Sequence, residues 1–211
     1  MTGKFIAFEG GEGTGKSTQA KLLAEYLRGR GIACKLTREP GGTKGAEAIR
    51  ELLLHPPGEG WGPRAEALLF AAARSDHVEK LIRPAVQSGE WVISDRYLDS
   101  SRAYQGGAGG IGDDNVLALH GIGSDGLKPD LTILIDVPPQ QVASRLALRD
   151  GDSSDAIGGR SADYHADVTA AFRQIAAKEP ERFSVVNGEG LVQDVQSRVE
   201  AAIAPLLGEA A

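Results

Sequence analysis

Cysteine is nearly absent from this sequence. Cys34 stands alone among 211 residues, so no disulfide can form within the chain. Its apolar surroundings read as those of a small buried hydrophobe, and a reducing compartment fits. Surplus basic charge is also missing: 23 Lys and Arg against 29 Asp and Glu leave a formal net charge of -6. That balance disfavours a general nucleic-acid surface, which needs clustered cations, yet leaves room for a small phosphorylated ligand. No apolar run is long enough for a signal peptide or a membrane span. A cytoplasmic protein without nucleic-acid or membrane partners is therefore expected. Internal repeats, heptad arrays and low-complexity tails are absent as well.

What is present suits one globular domain, residues 1–211. Hydrophobic residues make up 41% and charged residues 25%, which argues against disorder. Apolar, β-rich runs lie at Phe5–Phe8, Ala33–Thr37, Trp91–Ser94, Leu131–Val137 and Phe183–Val186. None alternates cleanly, as expected of strands buried on both faces. Helical segments are read at Lys16–Arg28, Ala46–Leu54, Arg64–Gln87, Gln140–Arg149, Asp163–Lys178 and Leu191–Leu207, with Gly31, Gly89 and Gly208 as stops. The alternation predicts an α/β fold, a parallel five-stranded sheet flanked by helices. Two polar, glycine-bearing stretches, Gln105–Asn115 and Asp150–Ser161, are read as loops or lids.

The strongest motif is Gly10-Gly11-Glu12-Gly13-Thr14-Gly15-Lys16-Ser17, which fills G-x-x-x-x-G-K-[ST] between an apolar strand and a helix. Glycines let the backbone wind tightly and turn successive N–H groups toward an anion, and the helix start adds donors of its own. A polyphosphate suits such a cradle. Lys16 is placed to reach the β- and γ-phosphates of ATP, and the Ser17 hydroxyl to hold Mg²⁺, with the binding run extending to Thr18. A glycine-rich turn opening a surface helix is the plainer alternative, and the strand before it and helix after it weigh against that.

This motif alone does not separate kinases from GTPases or motor ATPases. The guanine-reading NKxD signature is absent, and Asp155-Ala156-Ile157-Gly158 matches DxxG only by chance in a polar loop. Thr37-Arg38-Glu39-Pro40-Gly41-Gly42-Thr43 leaves the second strand and Asp95-Arg96-Tyr97 the third. Both open at the carboxyl edge of the sheet, where ligands bind in this architecture. An acidic strand end can orient Mg²⁺, and an arginine can grip a phosphate in bidentate fashion. The pattern describes two phosphates facing one another.

At these positions the sequence resembles the thymidylate kinase family. The likeness spans nearly the whole chain: the P-loop, TREPGGT, FAAARSDHV, DRYLDSSRAYQGG, KPDLTILIDV and YHADV. It implies a P-loop nucleoside monophosphate kinase that moves the γ-phosphate of ATP to dTMP, with Mg²⁺, as a homodimer formed through the Arg64–Gln87 helix. In the resemblance Phe70 stacks on thymine, and Arg74, four residues on and so on the same helical face, reads a base oxygen. Arg96 clamps the acceptor phosphate with Arg50 and Arg38 as helpers. Asp95 serves the metal shell or the acceptor phosphate, Tyr104 packs on the deoxyribose, and Glu39, Ser101 and Gln105 complete the acceptor site. Ser101 stands where some relatives carry Asn.

Glu12 marks the acidic form of the P-loop in this family. That form implies arginines from a lid over ATP, for which Arg145, Arg149 and Arg160 are the candidates. The family's usual D-R-x-E lid is missing: Ala156 occupies the position of the arginine. Arg149 is read as the catalytic lid residue with Arg160 assisting, Arg145 as an ATP contact, and Tyr164 and His165 as pocket walls. Two rivals stay open, a P-loop kinase of another acceptor and a nucleotide-switched regulatory protein.

Overall fold

The computed structural model describes residues 3–149 and 156–208, with side chains for all of these but 146–149. Phe5–Glu9 form β1, the centre of the sheet, and every residue in it is buried. Ile6 and Phe8 enter one core cluster while Phe5 and Ala7 enter another on the opposite face, the period-2 geometry of a strand covered on both sides. Around it run β2 (Cys34–Arg38), β3 (Trp91–Asp95), β4 (Leu131–Asp136) and β5 (Phe183–Asn187), all parallel, in the order β2-β3-β1-β4-β5. The expected α/β class and five-stranded parallel sheet are both found, with strand limits within a residue or two of those read from sequence.

Helices fill both faces: α1 (Lys16–Gly29), α2 (Lys44–Leu54), α3 (Pro63–His77), α4 (Arg83–Gln87), α5 (Leu98–Ser101), α6 (Asp113–Ser124), α7 (Pro139–Arg149), α8 (Ala162–Lys178) and α9 (Val192–Gly208). Leu23 and Leu27, one turn apart on α1, pack with Ile6 and Phe8; burial of each contributes about 2 kcal/mol. Among the described residues no helix is long and apolar enough to cross a membrane.

Two helices depart from the sequence reading, and the expected lid lies partly outside the described residues. The expected Arg64–Gln87 helix is continuous but widens into a π-helical stretch at Val78–Ile82, between α3 and α4. The expected Gln105–Asn115 loop is corrected: the chain is helical through Ala108, in a π-helical stretch from Arg102, and resumes as α6 at Asp113. Glycines dominate that sequence, but Asp113 is held by Arg102 at 2.7 and 2.8 Å, so a tertiary ion pair overrides weak helix propensity. Of the expected lid, Asp150–Ser161, residues 150–155 lie outside the described residues. Residues 156–161 form a turn closed by Arg160 N on Ile157 O at 3.3 Å, and Ser161 caps α8.

Buried charge locks the chain just after β3. Asp99, fully buried, receives both guanidinium ends of Arg182 at 2.7 Å and Arg102 Nη1 at 3.1 Å. Glu179 joins both arginines. Removing one member of such a cluster typically costs about 3–5 kcal/mol, because its partners stay buried and unpaired.

Candidate active site

β1 lies at the point where the strand order turns to either side, so a crevice opens beyond its carboxyl end. Gly10 follows with φ 139°, and a Cβ there would lie 2.6 Å from the Ile135 carbonyl oxygen. Only glycine lets the loop turn this close to β4. Gly15 ends the loop in the left-handed region at φ 94° with no side-chain cap on α1, leaving the first-turn N–H groups for an anion. Lys16 is buried and donates from Nζ to Gly11 O at 2.6 Å. Burial and the Arg96 charge lower it to about 8, against the pull of Glu12, Asp95 and Glu9. The Ser17 hydroxyl donates to Asp95 Oδ2, while Asp95 Oδ1 is buried without a hydrogen-bond partner. Arg145 braces the loop from behind, bonding Thr14 O at 3.2 Å and Gly188 O at 2.9 Å.

Arg96 faces the cradle from the end of β3. Its backbone is left-handed at φ 72°, which costs a non-glycine residue about 1 kcal/mol. The conformation is held at both ends: Arg96 N donates to Phe8 O at 2.9 Å, and Ser94 Oγ donates to Arg96 O at 2.7 Å. The guanidinium bonds Gly10 O at 3.1 Å, Ser100 Oγ at 3.0 Å, Tyr104 Oη at 3.2 Å and the Glu12 carboxylate. Glu9, which ends β1, accepts from Tyr97 N, Ser100 N and the Ser100 hydroxyl. Burial and Asp99 push its carboxyl up to about 7.

A cavity of about 240 Å³ runs from Glu12 and Ser17 past Asp95 and Arg96 to Arg38, Glu39, Arg50, Phe70, Arg74, Ser101, Tyr104 and Gln105. Arg74, at its far wall, is fixed by Glu39 Oε2 at 2.8 Å, Ser101 Oγ at 2.8 Å and Tyr97 O at 3.1 Å. Behind it, His77 Nδ1 donates to Glu39 Oε1 at 3.0 Å, and His77 Nε2 meets the Thr37 hydroxyl at 2.8 Å. Burial opposes the charge on Glu39, but Arg74 and then His77 overcome it and hold the carboxyl below its ordinary range. Gly42, at φ 90°, must be glycine here, since a Cβ would lie 2.4 Å from Thr37 Oγ1 and 2.6 Å from His77 Nε2. Arg50 donates to Pro40 O at 2.8 Å, and Arg38 pairs with Glu47 at 3.1 Å.

Twelve residues singled out from sequence thus share one cavity: Glu12, Ser17, Arg38, Glu39, Arg50, Phe70, Arg74, Asp95, Arg96, Ser101, Tyr104 and Gln105. Lys16 and Arg145 belong to the cradle behind it. Arg160 lies to one side, bonded to Glu66 and Tyr164, and Glu66 also accepts from Gln105 at 2.9 Å. Ala156 is exposed, and the Arg149 side chain lies outside the described residues. Sequence reasoning missed Glu9, Glu66, His77 and Ser100. Helical spacing could have found two of them: Glu66 is four residues before Phe70 and His77 three after Arg74.

Among the described residues no cluster of three His, Cys, Asp or Glu side chains could hold a metal alone. The Ser17–Asp95 pair can hold Mg²⁺ only when phosphate and water oxygens complete its shell. An anion cradle opening directly onto a second, arginine-lined cavity makes this an enzyme of the P-loop nucleotide kinase class. The sequence profile described as thymidylate kinase matches residues 8–199. A thymidylate kinase of Rhizorhabdus wittichii is 54% identical over 207 residues, covering 98% of this chain and 100% of the relative. Thymidylate kinases from two Rhodopseudomonas palustris strains, TIE-1 and BisB18, are 46% and 48% identical, covering 96% and 95% of this chain and 89% and 88% of theirs. The chain belongs to the thymidylate kinase family.

The Glu39 network makes an asymmetric prediction. Glu39→Ala strands Arg74 and should cost about 3 kcal/mol in urea unfolding. Glu39→Gln can still accept from Arg74 and can donate to His77 Nδ1 once the ring proton moves to Nε2, so it should cost about 1 kcal/mol. Equal losses would contradict the network, as would a His77 ring proton that stays on Nδ1 in the nitrogen NMR spectrum of Glu39→Gln.

Proposed function

We propose that this chain transfers the γ-phosphate of ATP to thymidine monophosphate, giving thymidine diphosphate and ADP. The observation that carries the reading is the single cavity joining Glu12 and Ser17 of the cradle to Phe70, Arg74 and Tyr104. On this reading the loop N–H groups from Gly10 to Thr18 and the Lys16 ammonium take the ATP phosphates. Ser17 and the unpartnered oxygen of Asp95 suit Mg²⁺, which when bound neutralises phosphate charge. Arg96, with Arg50 and Arg38, holds the acceptor phosphate. Phe70 stacks on the base, Arg74 with Ser101, Gln105 and Glu39 reads its edge, and Tyr104 packs on the sugar.

The chemistry then asks for alignment and charge balance. An oxygen of the acceptor phosphate, already anionic near neutral pH, attacks the γ-phosphorus. The new P–O bond forms as the bond from the γ-phosphorus to the β–γ bridging oxygen breaks, and ADP leaves with that electron pair. No general base is required. Arg149, assisted by Arg160, supplies positive charge from a lid at about 150–161; for Arg160 this means leaving Glu66 and Tyr164. The chain as a whole acts as one kinase domain.

The same reading includes a homodimer. An apolar groove between α3 and α6, with Leu68 56% and Ile122 86% exposed, supports it, since such side chains gain from being covered. Sedimentation equilibrium at the mass of one chain would remove this part of the proposal.

Substrate identity is tested by a coupled ADP-release assay with Mg-ATP and a panel of monophosphates. Thymidine monophosphate should give the highest kcat/KM; no ADP above buffer with it, while another acceptor works, sinks the assignment. For the lid, Arg149→Ala should lower kcat by about 100-fold or more with little change in ATP affinity. Unchanged turnover would shift the role to Arg160.

A further inference from the structure

Glu9 has no exposed surface, so donors must replace the hydration its carboxylate has lost. All of those donors come from the stretch after β3. Tyr97 N and Ser100 N reach Oε1 at 2.9 and 3.0 Å, and the Ser100 hydroxyl reaches Oε2 at 2.6 Å. A serine hydroxyl has one proton to give. Because Glu9 takes it, the lone pairs of Ser100 Oγ are left to accept from Arg96 Nη1 at 3.0 Å. Arg96 and Ser100 line the cavity, whereas Glu9 does not.

We propose that Glu9 is a positioning residue for the acceptor-binding arginine: through Ser100 it sets the direction of a hydrogen-bond relay that orders the Arg96 guanidinium. The inference rests on the reading of Arg96 as the acceptor-phosphate clamp. Its consequence is selective. Arg96 stands between the cradle and the acceptor pocket, but the P-loop backbone and Lys16 hold the donor phosphates without it, so Glu9 governs acceptor use and not ATP affinity.

Glutamine cannot replace Glu9, although it has nearly the same shape. With its amide nitrogen in the Oε2 position it donates to Ser100 Oγ, and the hydroxyl proton loses the acceptor that Glu9 gave it. With the nitrogen in the Oε1 position it faces two backbone N–H donors. Either orientation leaves a buried donor without its acceptor. Ser100→Ala is the cleaner probe, for it deletes the link to Arg96 and leaves both backbone bonds to Glu9 in place.

The test is a double-mutant cycle on kcat/KM for the acceptor at pH 8, above the value of about 7 to which Glu9 is raised so that its carboxylate form prevails, with the KM for Mg-ATP and the melting temperature measured on each variant. Ser100→Ala should lower acceptor kcat/KM by about 10-fold and Glu9→Gln by more, each with the KM for Mg-ATP within about three-fold of wild type. In an Arg96→Ala background Ser100→Ala should add less than about two-fold, because the group it orders is gone. The proposal is overturned by a Ser100→Ala variant with wild-type acceptor kinetics. It is equally overturned by losses shared between acceptor and ATP, or by effects that multiply with Arg96→Ala. Should Glu9→Gln fail to fold, the Ser100→Ala arm still decides. A wild-type enzyme inactive on thymidine monophosphate sinks the substrate reading alone, and the cycle is then scored on whichever monophosphate the panel identifies.

Discussion

The guanidinium of Arg96 is the tie on which this site depends. It bonds the Gly10 carbonyl and Glu12 of the P-loop on one side and Ser100 and Tyr104 of the arginine-lined cavity on the other. Two loops that follow different strands are thereby held at one spacing. A kinase needs such a tie, because in-line transfer is sensitive to small errors in the distance between donor and acceptor. The left-handed backbone of Arg96 is tolerable only because β1 and Ser94 grip it from either end.

The rest of the fold serves to hold that spacing. β1 and β3 are adjacent and in register, Phe8 opposite Asp95, so the P-loop and the Asp95-Arg96-Tyr97 turn leave the sheet side by side. Glu9 ties the second loop to the first from below, and Asp99 with Arg182 and Arg102 anchors it to α8 and β5. Cations that line the cavity are paired with anions: Arg96 with Glu12, Arg74 with Glu39 and Arg38 with Glu47. This keeps the arginines ordered before any nucleotide arrives and lowers the cost of binding.

Much of this was legible in the sequence, for physical reasons that differ from part to part. The strands showed because burial on both faces demands unbroken apolar runs, and Phe5–Glu9 or Leu131–Asp136 can hardly be read otherwise. The cradle showed because its glycines and lysine are dictated by backbone geometry and phosphate charge. Phe70 and Arg74 showed through the family resemblance, with helical spacing placing them on one face. What did not show depends on contacts far apart in the chain. α6 was hidden by its glycines and is begun by the Asp113 pair with Arg102; the π-helical stretches have no local signature. Glu9 acts through neighbours, and nothing local marks a residue whose partners arrive from another element.

On the proposed reading Arg96 holds the acceptor while its neighbours in the cradle hold ATP. Titration calorimetry of Arg96→Ala with thymidine monophosphate, and separately with Mg-ADP, tests it most directly. Acceptor affinity should fall by about 30-fold or more, with Mg-ADP affinity within about three-fold of wild type. Equal losses for the two ligands, or an unchanged acceptor affinity, would contradict it.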